Sequence, residues 1–178
     1  VHPSRIHTIN LNSTIKPEPK VISVCSQLPK AVAERQLSSA ADYLRDQGME
    51  VGSSVVQVSE ANSPGSSILV YNSTNENGPF IGTDALGEKG KLAEQVGFEA
   101  GASFAREYKT GANVDSHLGD MLVTPLSLAK GISSYKVPFI TPHLVTNLYV
   151  ASLLSGSRYR IEGEITGNYS APLVTIIS

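Results

Sequence analysis

A strand–helix–strand pattern near the beginning of the chain restricts the possible folds more than any other feature. The segment "PKVISVCSQL" (residues 19–28) is rich in β-branched residues, which favours a β-strand. It is followed by "PKAVAERQLSSAADYLRDQG" (29–48), which starts with proline, ends with glycine and repeats apolar residues at helical spacing. "MEVGSSVVQVSE" (49–60) again has strand character. The pattern therefore predicts a β-α-β arrangement.

The rest of the chain continues the alternation of strands and helices. "SSILVYNS" and "GPFIGTD" predict a hairpin joined through "TNENG", and three strands are predicted at 132–140, 157–165 and 171–178. Two helices are predicted at 91–111 and 115–131, the second with Asp115 or Ser116 as its cap. The residues expected to face inward are Leu92, Val96, Ala100 and Phe104 in the first helix, and Leu118, Met121, Leu122, Leu126 and Ala129 in the second. The predicted fold class is α/β (α+β), with helices segregated from short strands.

Composition limits the kind of protein. The 178 residues have a formal net charge of −2, so a nucleic acid would have to be held by a local patch rather than by the field of the whole molecule. The single cysteine excludes an internal disulfide and a cysteine-based zinc site, and it favours a reducing, cytoplasmic location. No stretch has the roughly 20 apolar residues of a membrane span. The chain begins with Val rather than Met, which suggests a fragment or a processed chain.

The segment "FITPHLVTNLYVASLL" places a histidine, His143, at the second position of a predicted helix. Thr141 can cap the helix, and Pro142 suits its first turn. The positive end of the helix dipole disfavours imidazolium at this position and attracts an anion such as phosphate. A neutral imidazole beside a phosphate is arranged for nucleophilic attack at phosphorus. A merely polar, helix-capping histidine fits the same position.

Other polar residues allow similar alternatives. His117 and Asp120 are three residues apart on a predicted helix and project from one face, where they fit either a nucleotide or metal site or an ordinary solvated surface. Neither pair of histidines has the spacing of zinc ligands, and the residues of any metal site stay unknown. Arg158 and Arg160 alternate in a strand, which fits an RNA-binding patch or scattered surface charge.

Three segments in order resemble the C-terminal half of the RNA 3′-terminal phosphate cyclase family: "LGEKGKLAEQVGFEAG", "VDSHLGDMLVTPLSLAKG" and "ITPHLVTNL". The resemblance runs over roughly residues 80–150, with a weaker likeness in "LPKAVAERQL". It implies repeated β-α-β units of the type shared with enolpyruvyl transferases, together with a small α/β inserted domain. Residues 1–9 would end a preceding strand of the large domain, residues 10–80 would form the insert, and residues 81–178 would form the last repeat of the large catalytic domain.

The resemblance also implies an activity. Such enzymes use ATP and a divalent cation, Mg or Mn, to form a histidine–AMP intermediate, and they transfer AMP to an RNA 3′-phosphate. The neighbouring 2′-hydroxyl then displaces AMP and leaves a 2′,3′-cyclic phosphate. The family's His-x-x-Thr-Asn pattern corresponds to His143, Thr146 and Asn147. The implied partners are RNA 3′-phosphate ends and the missing N-terminal half of the protein; no membrane is implied.

A second block of the family contacts the nucleotide, and the resemblance assigns it to five consecutive residues: His117, Leu118, Gly119, Asp120 and Met121. Asp120 keeps the family's aspartate and would lie near the nucleotide and its metal. Gly119 and Met121 depart from the Ala and Gln of many members, and Met cannot donate the amide hydrogen bonds of Gln.

Two other functions are considered beside the cyclase. A catalytically silent relative would act as an RNA-binding or ribosome-assembly protein, but such relatives lack the histidine that His143 retains. A cousin that transfers enolpyruvyl groups to small molecules would not explain the His-x-x-Thr-Asn block. The isolated chain is expected to have little activity, because part of the ATP pocket would be missing.

Overall fold

The computed structural model describes residues 9, 11, 18–73, 79–163 and 171–178. Its elements, in chain order, are β1 (Lys20–Ser26), α1 (Lys30–Asp46), β2 (Ser53–Val58), β3 (Gly65–Ser73), β4 (Phe80–Leu86), α2 (Ala93–Tyr108), α3 (Ser116–Leu128), β5 (Ile132–Lys136), α4 (Pro142–Ser155), β6 (Arg158–Glu162) and β7 (Leu173–Ile177). The chain divides into two units: a four-stranded unit, Ile15–Thr74 with Phe80–Arg106, and a three-stranded unit, Val1–Thr14 with Asn75–Pro79 and Glu107–Ser178.

The sheet of the four-stranded unit has the strand order β2-β1-β3-β4. Strands β1 and β2 are parallel and are connected by α1, which confirms the predicted strand–helix–strand arrangement. Strand β3 pairs antiparallel with β1 and with β4, as the predicted hairpin requires. The predicted turn at residues 74–78 lies outside the described residues.

Helix α1 covers one face of this sheet. Its residues Ala33, Ala40 and Leu44 are fully buried because their spacing puts them on the same side of the helix. A polar residue shares this face: Gln36 is 0% exposed, and its Oε1 accepts a hydrogen bond from Ser23 Oγ of β1 at 2.9 Å. The apolar stripe was predicted from the sequence, whereas the buried glutamine was not.

Helix α2 lies against α1 in the same unit. Gly97 makes the approach close, because a β-carbon at this position would overlap the backbone oxygen of Gln36. The predicted inward residues Val96, Ala100 and Phe104 are buried, but Leu92 is 66% exposed, so its predicted place in the core was wrong. Helix α2 begins at Ala93, and Leu92 lies before the helical stripe starts.

The division into units differs from the predicted domain boundary after residue 80. Residues 80–106 belong with residues 15–74 rather than with the rest of the chain. Strand β4 pairs with β3 from Ser67↔Leu86 to Ser73↔Phe80. The hydroxyl of Thr83 donates to the backbone oxygen of Ala100 at 2.9 Å and ties α2 to this strand.

The three-stranded unit contains the sheet β5-β7-β6, in which all pairs are antiparallel. Ile9 and Leu11 exchange backbone hydrogen bonds with Ser134 of β5 at 2.8 and 3.2 Å. Helix α3 packs against β5 and β7, α4 packs against β6, and the two helices pack against each other. The buried apolar residues of these elements are Val123, Leu126, Tyr135, Leu144, Leu148, Val174 and Ile176.

Helix length and hydropathy bear on membrane insertion. Among the described residues, none of the helices combines the length and the apolar character that crossing a bilayer requires.

Candidate active site

The start of α4 positions His143. Thr141 is the N-cap residue, and its hydroxyl accepts a hydrogen bond from the N–H of Leu144 at 2.9 Å. Pro142 occupies the first helical position, so His143 is the second residue of the helix. Leu144 is buried and anchors this turn, while the His143 side chain is exposed. These observations confirm the helix start that the sequence predicted.

The start of α3 is held by two carboxylates. Asp115 is the N-cap residue and accepts from the N–H of Leu118 at 2.7 Å. Glu107 is buried and accepts from both the N–H and the hydroxyl of Ser116, at 3.1 and 2.9 Å. Carboxylates at a helix N-terminus satisfy free N–H groups and complement the helix dipole. The first turn of α3, which carries His117, is therefore firmly placed.

Asp120 connects the two helices. The hydroxyl of Thr141 donates to Asp120 Oδ1 at 2.9 Å, while it also accepts from Leu144. The side-chain amide of Asn147 donates to the backbone oxygen of Asp120 at 3.4 Å. Two residues of the segment around His143 thus bond to the same residue of α3. The structure brings together the two sequence blocks that the resemblance marked as functional.

Tyr135 of β5 stabilises this junction through a hydrogen bond to α3. Its side chain is fully buried, and its hydroxyl donates to the backbone oxygen of Gly119 at 2.9 Å. Burial raises the pKa of Tyr135 well above its usual value, and the negative charge of Asp120 raises it further. The phenol therefore stays protonated and keeps its hydrogen bond to α3.

The five residues of the predicted nucleotide block have different surroundings. His117 is exposed, Leu118 and Asp120 are half-buried, and Gly119 is buried against Tyr135 and Val137. Met121 is 72% exposed, so the prediction that it faces the core was wrong. The buried positions of α3 are Gly119, Val123, Leu126 and Ser127, and Met121 lies about 200° around the helix from Gly119.

The structure also bears on a metal site. Among the described residues there is no group of three or more His, Cys, Asp or Glu side chains that could hold a metal ion. One carboxylate oxygen of Asp120 already accepts from Thr141.

The two arginines considered for an RNA patch lie on β6. Arg158 and Arg160 are both exposed, and Arg160 forms an ion pair with Glu162 at 2.7 Å. An exposed ion pair of this kind contributes little to stability. The paired carboxylate also reduces the positive charge of this strand, which makes a strong phosphate-binding patch unfavourable.

Some contacts at the junction had no sequence signal. The bond from Thr141 to Asp120 spans 21 positions, and the bond from Tyr135 to Gly119 spans 16. Neither separation corresponds to a helical or strand repeat. The capping role of Glu107 was missed because its partner, Ser116, lies nine residues away at the start of the next helix.

Comparisons with known proteins identify the family. Residues 18–109 match the family model described as "RNA 3′-terminal phosphate cyclase (RTC), insert domain". The chain is 40% identical over 136 residues to the RNA 3′-terminal phosphate cyclase of Caldivirga maquilingensis, an alignment that covers 74% of this chain and 38% of the relative. It is 39% identical over 152 residues to the cyclase of Desulfurococcus amylolyticus, covering 82% of this chain and 42% of the relative.

The matched residues contain the described part of the four-stranded unit, which is therefore similar to the insert domain of these cyclases. The chain belongs to the RNA 3′-terminal phosphate cyclase family. The match continues through β4 and α2, beyond the insert boundary expected at residue 80. The chain spans about two fifths of the length of the curated relatives it matches, from 38% to 44%.

Proposed function

We propose that this chain is part of an ATP-dependent RNA 3′-terminal phosphate cyclase and that His143 carries AMP during the reaction. The observation that carries the proposal is the junction of the two helices. An exposed histidine near the start of α4 lies next to a cap residue, Thr141, that is bonded to Asp120 of α3. The names of the relatives support the class of reaction.

The proposed reaction has three steps. An imidazole nitrogen of His143 attacks the α-phosphorus of ATP; the nitrogen–phosphorus bond forms, pyrophosphate leaves, and the imidazole proton is released. An oxygen of the RNA 3′-phosphate then attacks the same phosphorus, which breaks the bond to histidine and gives an RNA–adenylate anhydride, while the departing imidazole nitrogen takes up a proton. Finally the 2′-hydroxyl attacks the 3′-phosphorus, loses its proton and expels AMP, leaving a 2′,3′-cyclic phosphate.

The chain's own residues have two roles in this scheme. The Thr141 cap and the buried Leu144 fix the first turn of α4, so the exposed His143 ring is presented from a rigid element. The block from His117 to Met121 contacts the nucleotide. Within this block, the hydrogen bonds of Asp120 to Thr141 and Asn147 fix the distance between α3 and α4. Rigid support of a nucleophile reduces the entropy lost on reaching the transition state.

The divalent cation enters as part of the substrate. The described residues include no cluster that fits a resident metal, so Mg or Mn is proposed to arrive bound to the phosphates of ATP. No step in the scheme is assigned to a protein-bound metal. The presence of one cysteine in the chain fits a reducing cytoplasm, where ATP and RNA are available.

The chain is proposed to need a further part of the protein. The relatives are more than twice as long as the region they share with it. The resemblance implies that part of the ATP pocket belongs to that further part. The isolated 178 residues are therefore expected to cyclise RNA weakly or not at all. A chimera of this chain with the unmatched part of the Caldivirga relative is expected to cyclise RNA.

An RNA cyclisation assay tests the proposal. An oligoribonucleotide with a 3′-phosphate is incubated with ATP and Mg²⁺, and the fraction of ends that become resistant to phosphatase is measured for the chain alone and for the chimera. We expect ATP-dependent cyclic ends and AMP release with the chimera only. Full turnover by the chain alone would refute the need for a further part, while a folded chimera that binds RNA and forms no cyclic ends would support the catalytically silent alternative.

A further inference from the structure

A cavity of about 450 Å³ lies in the four-stranded unit and is not used by the proposed reaction. It opens where β1 leads into α1, with Leu28 and Val32 on one side and Pro64 on the other. Ala93 and Val96 of α2 complete its apolar walls. Ligands of open α/β sheets commonly bind beyond the carboxyl ends of parallel strands, which is the position of this cavity relative to β1. Its volume is in the range of small-molecule sites.

The floor of the cavity is polar and ordered by a chain of hydrogen bonds. The hydroxyl of Ser23 donates to Oε1 of Gln36, and Nε2 of Gln36 donates to the hydroxyl oxygen of Ser66, both at 2.9 Å. Gln36 is completely buried, so its amide is held in one orientation by these two partners. Ser66 accepts the hydrogen bond from Gln36, and both residues line the cavity.

The hydroxyl hydrogen of Ser66 is available for a ligand. Within the described ranges, the structure records no acceptor for it. Ser66 is half-buried, and its hydroxyl hydrogen bonds to a ligand when that ligand places an acceptor in the cavity. The oxygen of Ser66 already accepts from Gln36, and its hydrogen offers a donor that suits a ligand acceptor such as a carbonyl oxygen.

Gly87 keeps this hydroxyl uncovered. A β-carbon at Gly87 would overlap the Ser66 Oγ atom, so any other residue would displace or cover the serine hydroxyl. The N–H of Gly87 donates to the backbone oxygen of Ser66 at 2.8 Å, which holds the two residues together. The absence of a side chain here thus leaves room directly beside the polar floor.

The residues that line the cavity carry more positive than negative charge. Arg35, Lys89 and Lys91 contribute three cations, and Glu88 contributes one carboxylate. Arg35 is paired with Glu94, and Lys91 with Glu99. Lys89 is exposed and belongs to the same turn as Gly87, so it is the cation best placed to meet an anionic ligand. The cavity therefore combines apolar walls, one hydroxyl donor and an exposed lysine, Lys89, beside Glu88.

We propose that this cavity binds one nucleotide with a carbonyl-bearing base, such as uridine phosphate, whose base carbonyl accepts from Ser66 and whose phosphate lies at Lys89. Apolar walls suit the faces of a base, and the lysine suits the phosphate. The choice of a nucleotide rests on the proposed function, because that function makes RNA the substrate. The nucleotide is either free or an unpaired residue of an RNA strand; the chemistry of recognition is the same.

Titrations followed by two-dimensional NMR of the 178-residue chain test this proposal. The probes are uridine 5′-monophosphate, a pentamer of uridine, adenosine 5′-monophosphate and inorganic phosphate. We expect the amide signals of Ser66, Gly87 and Lys89 to shift with either uridine probe. Tighter binding of the pentamer identifies RNA as the source, and equal or tighter binding of the monophosphate identifies a free nucleotide. Adenine offers only ring nitrogens as acceptors, in positions different from those of the uracil carbonyls, so adenosine monophosphate should bind about fivefold more weakly.

Matched variants locate the interaction. Ser66→Ala and Lys89→Ala should each weaken uridine monophosphate binding by about fivefold. Ser67→Ala changes the neighbouring serine on the other face of β3, and Lys130→Ala removes an exposed lysine elsewhere; both should bind as the unmodified chain does. Lys89 is on the surface, so its variant remains informative even if Ser66→Ala unfolds.

Three results would overturn the proposal: a folded chain that binds neither uridine probe, variants that all bind equally, or inorganic phosphate binding as tightly as the nucleotide. The outcome is separate from that of the cyclase proposal, because it is read at the cavity and requires no turnover. Uridine binding without an AMP adduct at His143 would refute the proposed cyclase reaction and support nucleotide binding in the cavity. An AMP adduct at His143 without uridine binding would support the reaction and refute nucleotide binding in the cavity.

Discussion

Thr141 donates a hydrogen bond from its hydroxyl to Oδ1 of Asp120 at 2.9 Å, and the same hydroxyl caps the helix that begins with Pro142 and His143. The Thr141 side chain therefore caps α4, which carries the proposed nucleophile. It also links α4 to α3, which carries the proposed nucleotide block. A threonine hydroxyl can do both, because it is one donor and also an acceptor.

Replacing Thr141 by valine should destabilise the chain. Valine keeps the shape but removes the bond to the Leu144 N–H and the bond to Asp120, so the free energy of unfolding should fall by about 2 kcal/mol. Urea unfolding measures this change. Thr141→Ser keeps the hydroxyl and serves as the control, with an expected loss of less than about 1 kcal/mol.

Asp120 and Thr141 should be energetically coupled. In a double-mutant cycle, Thr141→Val should lower the free energy of unfolding less in the Asp120→Ala variant than in the unmodified chain. The difference between the two losses, the coupling energy, should be about 1 kcal/mol. The cycle is measured by urea unfolding of the four proteins. Strictly additive losses would show that the bond between the two side chains contributes nothing to stability.

Tyr135 should make stability depend on alkaline pH. Its pKa is raised from 10.0 in the folded chain, by burial and then by Asp120, so above this pH the unfolded chain loses the phenol proton while the folded chain keeps it. The folded state then binds more protons, and the free energy of unfolding falls as pH rises above the unfolded value. Below that value this contribution is fully present.

The Tyr135→Phe variant isolates this effect. The variant has no phenol at this position, so its unfolding free energy should fall less steeply than that of the unmodified chain between about pH 9 and about pH 11. Tyr108, whose pKa is also raised by burial, is present in both proteins and cancels in the comparison. Equal slopes would contradict the role assigned to Tyr135.

Two glycines of α2 should respond differently to alanine. Gly97→Ala places a methyl group on the Gln36 backbone oxygen, which cannot move without shifting α1, so we expect a loss of about 2 kcal/mol or more. At Gly101 the β-carbon would lie 3.2 Å from the Ala40 oxygen, and the higher helix propensity of alanine offsets much of that crowding. Thermal unfolding of the two variants compares them, and equal stabilities would contradict the close helix contact.

The fold could be predicted where local patterns decide structure. The β1-α1-β2 arrangement follows from β-branched runs around an amphipathic helix, and the cap at Thr141 follows from the Thr-Pro pair. The exposure of Met121 could not be predicted reliably, because nearly every residue around it in α3 is apolar or small. Periodicity does not distinguish the faces of such a helix.

The candidate site was only partly predictable. His143 and Asp120 were selected by the family's sequence blocks, and helix position gave His143 a physical reason. Their common connection through Thr141 depends on how α3 and α4 pack, which no local pattern encodes. The buried Gln36 was missed for the same reason: a polar residue within an apolar stripe is acceptable only because Ser23 and Ser66 are brought to it by the sheet.

The central claim is that His143 becomes covalently bound to AMP, and intact-mass spectrometry tests it most directly. The chimera with the unmatched part of the Caldivirga relative is incubated with ATP and Mg²⁺, digested and mapped, with an acid wash to test for the lability of a phosphoramidate. His143→Asn and His117→Asn are compared, since both change an exposed histidine near the start of a helix. We predict an acid-labile AMP adduct on the His143 peptide that disappears in His143→Asn and that still maps to His143, in lower yield, in His117→Asn. An adduct that survives in His143→Asn, or a folded chimera that forms none, would contradict the account.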